Sequence, residues 1–130
     1  MNDRAMPDLP HVLHDLQPIV ADHGAQPAGV VWRLDEVGRQ LDANVLNLPA
    51  GRTIDTHTEP DLDVLLLILA GSGSLTTGAG NLDLVPGELV WLPVGSTRSL
   101  TAGLHGLAYV TVHRRRPGMQ IRSPAGPTNA

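Results

Sequence analysis

From Gly29 onward, apolar and polar positions follow one another in short runs punctuated by Gly and Pro. This is the grain of β-strands joined by tight turns. Val30–Leu34 reads as a first strand, Gln40–Leu48 as a second and Thr53–Thr58 as a half-polar third. Leu62–Leu69 is apolar at nearly every position, with Val64, Leu66 and Ile68 on one side and Leu65, Leu67 and Leu69 on the other, so both faces are expected to be covered. Gly71-Ser72-Gly73 reads as a turn. Ser74–Thr77 and Leu82–Val85 flank Gly78-Ala79-Gly80-Asn81 as a hairpin, and Glu88–Leu92, Thr97–Ala102 and Leu107–His113 complete the set. About eight or nine short strands with regular turns predict an all-β antiparallel sandwich or barrel.

The first 28 residues differ. Val12, Leu13, Leu16, Ile19 and Val20 have a spacing that a short helix can use, and Pro18 is expected to interrupt it. The organisation expected is an arm over 1–28 that is part helical, a barrel over 29–116, and a Pro/Gly/Ser-rich tail over 117–130. No internal repeat is visible, and 130 residues suit one domain.

Composition narrows the chemistry. There is no cysteine, which excludes disulfides, zinc ribbons, thiol nucleophiles and iron–sulfur clusters. The net charge of −4 and three aromatic residues (Trp32, Trp91, Tyr109) give no support to nucleic-acid binding. Arg114-Arg115-Arg116 reads as a solvated strand end. The uncharged stretch Val64–Leu82 is apolar only to Ala70, far short of the ~20 residues of a membrane helix. No signal-peptide pattern opens the sequence, so a cytoplasmic protein without a membrane partner is expected.

Two segments carry a resemblance. Gly51 is followed after five residues by His57-Thr58-Glu59, and that run ends in Gly71; Gly87 is followed after five residues by Pro93-Val94-Gly95, then by Arg98 and Ala102. The framework glycines and proline resemble the two motifs of the cupin superfamily, which implies a single cupin-type antiparallel β-barrel or jelly roll. In metal-binding cupins two His and a Glu of the first motif and a His of the second hold one divalent ion. By the same alignment His57 keeps the first ligand position and Glu59 replaces the second His. Val64 stands at the Glu position with Asp63 one place before it, while Arg98 replaces the second-motif His and Ala102 the Asn.

The exchanges change the chemistry. His57 and Glu59 at i, i+2 point to the same face of a strand, so imidazole and carboxylate are expected to share the pocket. Arg98 has no lone pair to give a metal, repels cations and would pair with Glu59. No metal cofactor is therefore expected, a divalent ion held by His57 and Glu59 being the alternative. The Glu59–Arg98 pair has a plain structural reading, charge compensation inside a barrel. It has also a functional one, in which Arg98 takes a carboxylate or enolate and His57 moves a proton. Pocket walls are sought among Leu66, Ile68, Leu89 and Trp91, with Trp91 expected in the core. His11, His14 and His105 read as surface residues, and His113 as a minor candidate for the barrel mouth.

Three functions stay open: a small-molecule-binding cupin with His57, Glu59 and Arg98 at its pocket; a cupin enzyme, metal-dependent or an isomerase or lyase with His57 as acid/base; and a structural cupin with an inactive pocket. The apolar outer face of Leu62–Leu69 and the resemblance together imply a homodimer.

Overall fold

The computed structural model describes residues 9–116. Among them the chain forms one short helix, α1 (Gln17–Ala21), a 3-10 turn at His23–Ala25, and seven strands. The strands are β1 (Gly29–Arg33), β2 (Leu41–Leu48), β3 (Thr53–Thr58), β4 (Val64–Thr77), β5 (Gly80–Leu84), β6 (Leu89–Leu92) and β7 (Thr97–Arg114). All pairings are antiparallel. The order is β1-β2-β7-β4-β5, with β3 added on β7 and β6 on β4.

The long strands β4 and β7 run through both layers. The first half of β4 pairs with β6 and with the second half of β7, which continues to β2 and β1. The second half of β4 pairs with β5 and with the first half of β7, which carries β3. Two facing layers thus share two bent strands, and the core lies between them. Leu46, Leu66, Ile68, Leu75, Leu84, Leu92, Leu100 and Leu107 are buried there, with Tyr109 among them.

Two expected turns are bends within strands instead. Gly71-Ser72-Gly73 lies inside β4, and Gly103-Leu104-His105-Gly106 lies inside β7. Gly71 (φ 83°) and Gly106 (φ 81°) lie in the left-handed region, and a Cβ on Gly71 would come within 2.1 Å of the Gly106 carbonyl oxygen. Paired glycines let both strands change layer at one place with the ladder carried through.

Pro18 also acts differently from expectation. It stands in the first turn of α1, where a missing N–H removes no helical hydrogen bond, so it starts the helix rather than interrupting it. Ile19 and Leu16 pack on Val45, Ala70 and Ala108, closing a second apolar cluster outside the barrel that also takes Leu69. The Asn47 amide holds the following turn by donating to the carbonyls of His23 (2.9 Å), Gln26 (3.1 Å) and Pro27 (3.3 Å).

Candidate functional site

β3 is irregular where it matters. Ile54 opposes Leu100 and His57 opposes Arg98, so three steps on β3 match two on β7. That bulge overrides strict alternation and brings Ile54 and His57 onto the same inner face. They line a hollow between the layers with Leu66, Leu75, Leu92, Arg98, Ser99 and Leu100. The walls are apolar apart from His57, Arg98 and Ser99, and no water-sized space is left between them.

Arg98 is 3% exposed. Its Nη1 donates to the Ser96 carbonyl (3.3 Å) and to Ser96 Oγ (3.2 Å), which fixes the guanidinium plane. Burial pulls Arg98 below the usual arginine range, and the charge of Glu59 pulls it back. It stays cationic at any neutral pH. His57 is half-buried, and its Nδ1 donates to the Asp55 carbonyl (3.0 Å), which in the neutral ring leaves the lone pair on Nε2.

Glu59 follows a different course from the one its spacing suggests. β3 ends at Thr58, and Glu59, 6% exposed, is not part of the hollow's lining. Its Oε1 accepts from Arg116 Nη2 (2.7 Å) and its Oε2 from the Asp61 amide (3.0 Å). Burial opposes its ionisation, but the Arg116 hydrogen bond, the Asp61 amide and the charges of Arg116 and Arg98 outweigh that and hold the carboxyl below its ordinary range. The close ion pair of Glu59 is thus with Arg116. Arg98 acts on it through its charge.

Arg116 is the site residue that sequence reasoning missed. Read as part of a solvated run, it reaches Glu59, while Arg114 Nη2 donates to the Asp61 carbonyl (3.0 Å). Both bonds tie the end of β7 to the segment between β3 and β4. No local signal in the sequence points to Arg116, because its contact with Glu59 spans 57 residues.

The remaining candidates fall into place. Leu66 lines the hollow, and Ile68 is buried beside it in the core. Leu89 and Trp91 are corrections, being 67% and 58% exposed. Leu67 opposes Leu89 and Leu65 opposes Trp91, so these four share the outer face while Val90 and Leu92 turn inward. Asp63 is exposed and caps the Val94 amide (2.8 Å). His14 stacks on Trp32 at 5.7 Å, and His11 lies 3.4 Å from Glu36. His105 is exposed, though on a strand rather than a turn, and its carbonyl accepts from His23 Nε2 (2.7 Å). His113 lies near the end of β7, half-buried and outside the hollow's lining. An open groove of about 420 Å³ over Ser72, Ser74, Asp83 and Thr101 contains none of the predicted residues.

The donors do not suit the metal of the wider fold class. Among the described residues no three His, Asp or Glu side chains come together. Glu59 is occupied by Arg116, and Arg98 sets a permanent positive charge where a ligand would be needed. Among the described residues no helix is long and apolar enough to cross a membrane.

No family model matches the sequence, and no curated protein matches it. Solved structures do match. A sugar phosphate isomerase of the cupin superfamily from Silicibacter pomeroyi aligns over 61% of this chain and 53% of its own, with TM-score 0.56 and 20% identity. The chain therefore spans about half of that protein. A Bacillus halodurans protein aligns over 92% of this chain and 88% of its own, with TM-score 0.66 and 16% identity. A cupin superfamily protein from Desulfitobacterium hafniense aligns over 75% and 87%, with TM-score 0.61 and 18% identity. The antiparallel barrel of this chain, with its two bent strands and inward-facing Arg98, has the cupin fold.

Proposed function

We propose that the barrel binds a small molecule bearing a carboxylate or enolate, with Arg98 as the anion anchor and His57 beside it. The observation that supports this most is the placing of a buried guanidinium and an imidazole together in the wall of an otherwise apolar hollow. A planar, permanently charged fork held by Ser96 suits two oxygens of one carboxylate. Apolar walls with a few convergent polar groups are the usual make-up of a small-molecule site. Ile54, His57 and Ser99 are the half-buried members of the lining. Glu59 belongs to the supporting frame through Arg116. No metal ion takes part in this reading, and a stoichiometric divalent ion bound through His57 and Glu59 in natively purified protein would overturn that part of it.

A second reading has one observation behind it. The hollow holds no water-sized space, which favours a structural cupin whose pocket is inactive. Thermal melts with a panel of small carboxylates separate the two. A binding barrel gains stability with an acid, and Arg98→Leu removes the gain. A structural barrel responds to no acid, and Arg98→Leu alters only its own melting. An isomerase reading, with His57 as acid/base, requires turnover that His57→Ala abolishes.

A further inference from the structure

Ser74 on β4 precedes the core residue Leu75, Asp83 on β5 precedes Leu84, and Thr101 on β7 stands between Leu100 and Ala102. By alternation all three side chains point away from the core, to the outside of the barrel. Ser74 lies opposite Asp83 on one neighbouring strand and opposite Thr101 on the other, so they form one row across β5, β4 and β7. The open groove of about 420 Å³ runs over this row and over Ser72, with Val85 and Gly103 also in its lining. It shares no residue with the hollow. Its volume falls within the ~300–1,000 Å³ of small-molecule sites. Gly103 lies outside the left-handed region, so its backbone does not demand glycine. Space does: a Cβ there would stand 2.5 Å from Ser72 Oγ and fill the groove at that point.

The polar groups of the groove are free to take a ligand. Thr101 Oγ1 is held by Thr53 Oγ1 at 3.1 Å. Among the described residues the half-buried hydroxyls of Ser72 and Ser74 and the carboxylate of Asp83 make no hydrogen bond or ion pair. No arginine, histidine or aromatic ring lines the groove, so an anion finds no counter-charge there and a flat ring no stacking partner. Each hydroxyl donates once and accepts twice, while a carboxylate only accepts. Two adjacent hydroxyls on a ligand match that set, both donating to Asp83 and accepting in turn from the serines. We infer that the groove binds a neutral polyhydroxylated molecule of the size of one saccharide unit, with Asp83 taking two adjacent hydroxyls, Ser72, Ser74 and Thr101 the others, and Val85 meeting its C–H edge. This site is separate from the carboxylate site in the hollow and does not depend on it.

The test is an NMR titration of the full chain, following backbone amides, with D-glucose, D-galactose and D-mannose, and with cyclohexanol and D-glucosamine for comparison. At least one neutral sugar is expected to shift the amides around Ser72–Ser74, Asp83–Val85 and Thr101–Gly103 saturably. It should bind about tenfold or more tightly than cyclohexanol, which has the ring but a single hydroxyl. Asp83→Ala and Ser72→Ala are each expected to weaken that sugar about tenfold, and their amide spectra show whether the barrel is still folded. Three results overturn the site: no saturable shift at these amides with any of the sugars, shifts centred on His57 and Arg98 instead, or an affinity unchanged in Asp83→Ala. Binding of glucosamine through Asp83 without binding of a neutral sugar overturns the ligand class, since the carboxylate then reads an ammonium.

Discussion

At the scale of single residues, the tie between the end of β7 and the segment after β3 is governed by which base Glu59 meets. Its carboxylate is buried, whereas the Arg116 side chain is 37% exposed, so solvent screens part of the attraction. Arg116→Met is expected to cost about 1 kcal/mol at neutral pH in a denaturant titration. The sign with pH follows from a carboxyl held below its ordinary value of 4.5. Its contribution is complete above 4.5 and disappears as pH falls through the lower value in the folded state. The gap between wild type and Arg116→Met should accordingly close in acid, and a gap that stays constant to low pH would exclude Glu59 as its origin. Tyr109 supplies a contrasting prediction. Removing an unpartnered buried hydroxyl should stabilise the ligand-free protein, so Tyr109→Phe should melt higher by the equivalent of about 1 kcal/mol. A lower melting point would show that the hydroxyl has a partner in solution.

At the scale of elements, β4 and β7 decide the architecture. Each reads in sequence as two strands and a turn, because Gly-rich stretches usually end strands. Here the glycines allow a close crossing that no side chain would tolerate. Gly71→Ala places a methyl against the Gly106 carbonyl and demands a left-handed backbone from alanine, so it should cost about 3 kcal/mol or more in thermal melts. Gly38 has a similar φ of 76° but open space around it, and Gly38→Ala should cost only about 1 kcal/mol. Equal losses would mean that backbone conformation, not the crossing, sets the need for glycine. The β3 bulge is the second element-scale device. It alone turns His57 and Ile54 to the same side, which simple alternation does not predict.

For the whole molecule, the outer face of the first half of β4 is covered unevenly. α1 and the residue before it close over Leu69, whereas Leu65, Leu89 and Trp91 stay at the surface on adjoining strands. Pairing with a second copy through this uncharged face remains our proposal. Light scattering should return twice the 13.8 kDa chain mass, and Trp91→Glu should return the single mass with melting of the monomer little changed. A monomer in the wild type would remove the idea.

Much of this protein is legible in its residues taken in order. The run from Gly29 predicts strands because period-two alternation and Gly/Pro punctuation act locally, and the spacing from Gly51 to Gly71 and from Gly87 to Gly95 carries the cupin resemblance. The division of Leu62–Leu69 into two apolar faces and the surface positions of His11 and His14 follow from the same local rules, whereas the face that turns inward does not. Only the tertiary structure decides the rest. That two apparent turns are bends depends on backbone contacts between residues 35 apart, such as Gly71 and Gly106. That Glu59 pairs with Arg116, 57 residues away, depends on where β7 ends relative to β3. That Trp91 faces solvent depends on its register with Leu65. Local pattern sets what each segment can form, while long-range register sets which charges and rings meet.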